Sequence, residues 1–451
     1  MPDPRRSARI ANNQLREPPV VAGMVVAPIP ALERTAQEDF LAAAIPPSGC
    51  PSTASTPLLV HTGQLPGNRP RSTVLGSAIA QELKNDTSLA SDSFIDRLFP
   101  EKSAPFTIGN AVFKALAKAG YWNHTTNSFQ KMGYTEQALG EWLNAVGTTM
   151  GTVHKRTPDR LWWHGTCNLP PSGAPDIPRK PDLVLLSRKH QEAMVAEPQR
   201  INWIRIRSFA EVTRSSRIPA TMTPTINAKS YLLFLLQFDR RFVTALSFIG
   251  SGEYSLTVTD REGQIRYTSS LKTNGLEPAR RFLTILSFLM FGRDSDIGLD
   301  SHFIRNPDSD QLTAVFVENS RYELGDRIYS VESLLGRGTN VWIVTRDDKS
   351  YILKDFWMLE RLVESETNHL KAMVGHPQLE SLIPTYEAGG DIKFDGITDS
   401  TVNYRGSDLL GRPGNRRVHQ RSVISPIGKP LTSFQSKKEF VRALIDVVGG
   451  E

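Results

Sequence analysis

Cysteine is nearly missing. Only Cys50 and Cys167 occur among 451 residues, with no metal-ligand spacing between them. That excludes a disulfide scaffold and a thiolate zinc module, and makes a reducing compartment, cytoplasm or nucleus, the expectation. Long hydrophobic runs are missing too. The greasiest stretch, Phe282 to Phe291, is bracketed by Arg280, Arg281 and Arg293. It is about half the ~20 residues a membrane span needs and reads as a buried helix. Residues 1–20 carry charge and proline but no apolar stretch, so no secretory signal is expected. No internal repeat is found. Neither sign of charge dominates: 53 basic against 47 acidic side chains leave a net charge of +6. A mildly basic balance permits a nucleic-acid partner without requiring one.

The length predicts two or three domains at roughly 100–200 residues each. Residues 1–73 read as a disordered leader: Pro18, Pro19, Pro28, Pro30, Pro46, Pro47, Pro51 and Pro57 recur among Ser, Thr and Gly. One short helix is expected between Pro30 and Ile45. Residues 74–177 read as a helical region, with helix-period spacing over Val74–Leu83 and Thr135–Val146. Residues 178–305 change character. Lys180–Leu186 and Asn202–Thr213 read as strands, Thr225–Phe238 as a helix, and Phe242–Ile249 and Tyr254–Val258 as strands. Residues 276–300 return to helix, and from about 321 a strand-rich unit begins.

That last unit carries the sharpest pattern. Leu335-Gly336-Arg337-Gly338-Thr339 is a glycine-rich turn whose backbone N–H groups could approach phosphate. A strand over Val341–Val344, turn residues Asp347–Ser350 and a second strand Tyr351–Lys354 follow. A glycine loop, a hairpin and a strand lysine in that order suit a lysine that pairs with nucleotide phosphates. Such a lysine needs a carboxylate on the next helix. Residues 359–374 show helix spacing, with Leu359, Leu362, Val363, Leu370, Met373 and Val374 on one stripe. Glu366 shares that stripe, whereas Glu360 and Glu364 fall off it. Lys354 is therefore its expected partner. Residues 391–416 read as a variable insert, 421–427 as a strand, and Phe434–Val448 as an amphipathic helix.

In the middle region, Pro181-Asp182 precedes Glu211-Val212-Thr213, and a helix follows. This looks like a PD-(D/E)xK nuclease core, where two carboxylates hold magnesium and a lysine helps activate water. Thr213 stands where lysine belongs, and Lys229 on the helix is the substitute candidate. The same residues also fit a turn cap and a chance strand glutamate. Arg205, Arg207, Arg214, Arg217, Arg240 and Arg241 give a basic cast that suits phosphate backbones or a plain solvated face. Trp162 and Trp163 fit base stacking or packing. His154, His164 and His190 lack ligand spacing and are expected to be structural.

The segment 321–451 resembles the fungal-type protein kinase family through Leu335–Thr339, Tyr351-Ile352-Leu353-Lys354-Asp355-Phe356-Trp357 and the helix with Glu366. Residues 178–305 resemble its upstream region through Lys180–Leu186, Gln237–Phe242 and Gly298-Leu299-Asp300. The resemblance implies an ATP- and Mg2+-dependent Ser/Thr kinase class. Gly336, Gly338, Thr339, Lys354 and Glu366 would then be the nucleotide-contacting residues. Two departures stand out. Val341 replaces the third loop glycine, and no HRD-type or DFG-type triplet occurs; His419-Gln420-Arg421 and Phe394-Asp395-Gly396 are look-alikes out of order. The expected fold class is α+β: disordered leader, helical segment, α/β nuclease-like core, then a kinase-like N-lobe of antiparallel sheet and one helix, without the C-lobe. On that expectation the chain transfers no phosphate and is a piece of a longer kinase.

Overall fold

A computed structural model describes residues 72–449, apart from 85, 165–169, 175–176, 198–199, 273–274, 363–365, 377–382, 407–414 and 430–432. Both cysteines, the stretch 1–71 and its expected short helix lie outside the described residues.

Two seven-stranded sheets organise these residues. The first contains β1 (Thr87–Ala90), β2 (Arg160–Trp163), β3 (Leu183–Ser187), β4 (Ser208–Thr213), β5 (Val243–Ile249), β6 (Glu253–Thr259) and β7 (Gln264–Ser270). Their spatial order is β1-β7-β6-β5-β4-β3-β2. The β4–β5 and β1–β7 pairs are parallel and the rest antiparallel. Strands from both 74–177 and 178–305 thus share one sheet. Helices α1 (Ser72–Glu82), α2 (Asp92–Leu98), α3 (Asn110–Lys118), α4 (Glu136–Val153), α5 (Arg188–Ala196), α6 (Met222–Leu236) and α7 (Leu276–Phe291) accompany it.

Strand periodicity divides the core. Leu183 and Leu185 join Leu139, Trp142, Leu143 and Val146 of α4 and Phe282, Leu286 and Leu289 of α7 on one side. Val184 and Leu186 join Ile226, Leu232 and Leu233 of α6 and Ile79 of α1 on the other. The apolar run Phe282–Phe291 is a buried helix, as its arginine brackets predict. Trp162 is buried within the first cluster, out of reach of a base, and Trp163 is half-buried and packs against the second. His154 stacks on Phe106, and His190 is held by Ser187 and Asp310, so both serve packing.

The second sheet contains β8 (Phe303–Arg305), β9 (Leu312–Val317), β10 (Ser320–Ser330), β11 (Asn340–Arg346), β12 (Lys349–Leu359), β13 (Thr385–Asp391) and β14 (Arg417–Ser425). It is antiparallel throughout, in the order β8-β9-β10-β11-β12-β14-β13. Val315, Tyr322, Trp342, Val344, Leu353 and Val423 form the core of one face. Three helices accompany this sheet: α8 (Glu366–Met373), α9 (Thr401–Arg405) and α10 (Lys437–Gly449).

Two expectations are corrected here. Asn202–Thr213 is not one strand, because Asn202 caps a short 3-10 turn over Trp203–Arg205 before β4 begins. Nor do residues 359–374 form one helix with a buried stripe. Leu359 ends β12, and Leu362 and Val374 are exposed.

Candidate functional site

Lys354 sits on β12 and Glu366 opens α8. Lys354 Nζ lies 2.5 Å from both carboxylate oxygens of Glu366. The pair is half-buried, with side-chain exposures of 21% and 42%. Arg337, at the tip of the glycine loop, approaches the same carboxylate at 3.5 Å. Glu366 is therefore shared by two cations, one of them from the loop that would face phosphate.

Register places the rest of this face. Val341 lies opposite Lys354, which lies opposite Ser422; Ile343 lies opposite Ile352, which lies opposite Ile424. Directly opposed residues share a sheet face. Val341, Ile343, Ile352 and Ile424 thus flank Lys354 on the side away from the sheet's core, and all four are half-buried. This is a shallow aliphatic surface beside a cation pair.

The glycine loop does not stand free. Gly336 (φ +97°) and Gly338 (φ +50°) both take left-handed backbone, which glycine adopts without steric cost. A β-carbon on Gly338 would meet the Arg261 guanidinium at 2.6 Å. The Gly336 N–H donates to the Arg261 carbonyl at 3.0 Å. Thr339 is buried, and its carbonyl accepts from the Val331 N–H at 2.9 Å.

The opposite face of β12 holds a dense charge network. Arg421 donates to Asp355 at 2.8 Å and to Asp300 at 2.6 Å. His419 lies 3.1 Å from Asp355 and 2.9 Å from Asp399, and it stacks on Trp357 at 4.6 Å. Arg241 holds Asp399 through two bonds of 2.9 and 2.6 Å. Despite burial, the carboxylates of Asp355 and Asp399 push the His419 imidazole up to about 9. Asp300, Asp355 and His419 offer ligand atoms within 4.8 Å of one another. A metal cation there would face a guanidinium and an imidazolium, so the cluster is an ion-pair network rather than a metal centre.

In the first sheet, Asp182, Glu211 and Lys229 come together. Lys229 Nζ lies 2.5 Å from Glu211 Oε1, with side-chain exposures of 2% and 8%. Asp182 accepts from the Val212 N–H at 2.8 Å. Burial pushes the Glu211 carboxyl up to about 7, against the opposing pull of Lys229. Burial likewise lowers the Lys229 ammonium.

Four of the six arginines expected to face phosphate backbones are otherwise engaged, whereas Arg214 and Arg217 are exposed. Arg207, Arg240 and Arg241 are buried. Arg240 donates to the carbonyls of Ile206, Arg207 and Ile297 and to Gln237, and Arg207 pairs with Asp310. Arg205 is half-buried and donates to the Asp308 carbonyl. The expectation of a basic surface through Arg205, Arg207, Arg240 and Arg241 is corrected on these contacts. Gln237 ties α6 to the turn before β4, because its amide donates to the carbonyls of Trp203 and Ile206.

Residues 391–416, read as a variable insert, supply contacts that sequence reasoning missed. Arg405 holds Asp260 through bonds of 2.7 and 2.5 Å, with both side chains buried. Asp399 holds Arg241, and Arg97 donates to the Arg405 carbonyl. The look-alike Phe394-Asp395-Gly396 is a hairpin tip whose Asp395 pairs with Arg293. His419-Gln420-Arg421 lies inside β14.

A family model described as fungal protein kinase matches residues 180–451. The chain belongs to the fungal protein kinase family. No curated protein and no solved structure matches it. The matched stretch includes the Lys354–Glu366 pair and the glycine loop. The match begins at Lys180, so β3 to β7 belong to the same matched stretch as the second sheet. No helix among the described residues is long and apolar enough to cross a membrane.

Proposed function

We propose that this fungal protein kinase chain binds a nucleotide at the face of β11, β12 and β14. Lys354 and Arg337 would meet the phosphates, and Val341, Ile343, Ile352 and Ile424 would meet the base. The observation that carries the reading is the 2.5 Å Lys354–Glu366 pair beside a glycine loop whose tip arginine shares the same glutamate. When bound, ATP with Mg2+ would supply the transferable phosphoryl group of the kinase class. These residues fit the nucleotide but assign no position to magnesium. Transfer needs an aspartate to accept the substrate proton, and an aspartate and an asparagine to hold the metal. No HRD-type or DFG-type triplet in these 451 residues supplies them. The 451-residue chain is therefore expected to bind nucleotide without transferring phosphate.

Fluorescence titration with N-methylanthraniloyl-ATP tests this. Lys354→Ala should weaken binding about tenfold, the size of one lost charge-assisted contact. Binding that ignores Lys354→Ala would sink the reading.

A second reading concerns the first sheet. The run α4, β2, β3, α5, β4, α6, β5, with a parallel β4–β5 pair and the Asp182–Glu211–Lys229 cluster, supports a nuclease-like fold. Glu211 is matched by Lys229 and Asp182 by a backbone amide, which argues for scaffold rather than cleavage. The burial of Arg207, Arg240 and Arg241 takes these side chains out of reach of a nucleic acid. Arg240→Ala with Arg241→Ala should lower the melting temperature and leave DNA affinity unchanged; a fall in DNA affinity at constant stability would reverse this.

A further inference from the structure

The glycine loop is gripped from outside its own sheet by four separate contacts. Leu334, just before the motif, is fully buried in the cluster formed by α1 and α6, beside Ile79, Leu83 and Leu232. The Arg261 guanidinium, on the turn between β6 and β7, donates to the Ser333 carbonyl at 2.7 Å and the Leu334 carbonyl at 3.2 Å. The Arg261 carbonyl takes the Gly336 N–H. Glu82, the last residue of α1, accepts from the Leu335 N–H at 3.3 Å. The other oxygen of Glu82, Oε1, is buried without a hydrogen-bond partner.

This arrangement is not needed to form a hairpin, which β10 and β11 close by themselves through the Ser330–Asn340 register. It uses loop N–H groups, the kind that a phosphate would take in a glycine-rich turn. A carboxylate from another part of the fold occupies one of them. Burial raises the Glu82 carboxyl to about 7, against the lowering pull of the Leu335 and Leu334 amides and the Arg261 charge. A buried carboxyl group with one oxygen left without a hydrogen bond is poorly explained by stability alone.

We propose that α1 is an intramolecular latch on the glycine loop, with Glu82 occupying a loop amide that nucleotide phosphate would otherwise approach, so that α1 docking and nucleotide binding exclude one another. The latch rests on the nucleotide reading of the loop given above. Its release frees the Leu335 amide and uncovers Leu334, while Gly336 keeps its bond to the Arg261 carbonyl. In a two-state scheme the apparent nucleotide affinity is reduced by the fraction of molecules that are latched. Whatever displaces α1 from α6 then raises the affinity with no new contact to the nucleotide.

The test uses the full 451-residue chain with N-methylanthraniloyl-ATP as the probe, and amide hydrogen exchange of residues 333–338 without nucleotide. Glu82→Ala should bind the probe about tenfold more tightly, the factor set by losing one hydrogen bond to a charged group. It should also exchange the Leu335 amide about tenfold faster. Glu82→Gln keeps the shape and an accepting oxygen, and should fall between the two proteins. It covers the case in which the alanine variant does not fold. Probe affinity that depends on Lys354 but is equal in the unmodified, Ala and Gln chains overturns the latch and leaves the nucleotide reading standing. Absence of probe binding in every chain overturns both.

Discussion

His419 gives the sharpest handle on how the second sheet is fixed to the rest of the fold. It is buried between Asp355 and Asp399, and Asp399 in turn is held by Arg241. The two carboxylates push the imidazole from its ordinary 6.5 up to about 9. A folded-state value above the unfolded one means that the folded chain keeps a proton which the unfolded chain releases. The stabilisation is complete below about pH 6.5 and is lost as pH rises through about 9. At about 1.36 kcal/mol per unit, the shift corresponds to roughly 3 kcal/mol. Glu82 and Glu211, both raised to about 7, also titrate at the lower end of this window, but the natural chain and His419→Gln share that loss, so the difference between the two proteins reports on His419. Urea unfolding followed by tryptophan fluorescence, at pH 6.5 and pH 9.5, should show the natural chain losing roughly 2–3 kcal/mol that His419→Gln does not lose. In that variant Asp355 retains Arg421 and Asp399 retains Arg241, so the fold survives to be measured. Equal pH dependence in both proteins would refute a charged His419 at the centre of the network.

Three further outcomes are expected. Arg405→Ala leaves Asp260 and Glu262 as buried carboxylates without their main cation and should cost about 3–5 kcal/mol in urea unfolding; a cost under about 1 kcal/mol would show that the 401–405 segment is not fixed by this pair. Gly338→Ala places a methyl group against Arg261 at a positive φ and should destabilise by about 1–3 kcal/mol, read as a lower melting temperature. Glu211→Ala should cost about 3–5 kcal/mol by stranding buried Lys229, whereas Glu211→Leu with Lys229→Met should recover most of it. A double variant as unstable as the single one would mean that the pair does more than neutralise itself.

The legible parts of this fold were those with local signatures. Strand alternation and helix period located β5, β6 and α6 to within about three residues at each end and found the starts of α4 and α7 but not their ends, because each buries a face whose period is written in consecutive side chains. The Lys354–Glu366 pairing was also legible. A strand lysine after a glycine hairpin and a glutamate on the next amphipathic stretch lie only twelve positions apart. The buried stripe on that stretch was not observed, since Leu362 and Val374 face outward and the described helix covers only Glu366–Met373. Amphipathic spacing states which side chains share a face and is silent on whether anything covers that face.

The arginines mark where local reading fails. Arg240, Arg241 and Arg207 look like a basic stripe because sequence shows their charge and hides their partners. Arg241 finds Asp399 across 158 positions, and Arg405 finds Asp260 across 145. Neither partner has a spacing, period or motif that announces it. The glycine- and polar-rich composition of 391–416 reads as a loop for the same reason. Its structural role rests on Asp399 and Arg405, each meaningful only beside a residue from the other sheet. Residues that join two sheets must satisfy buried charge by distant complements. The joint between the two sheets is thus the part of the molecule that composition describes worst. It is also the part from which α1 and Arg261 reach the glycine loop.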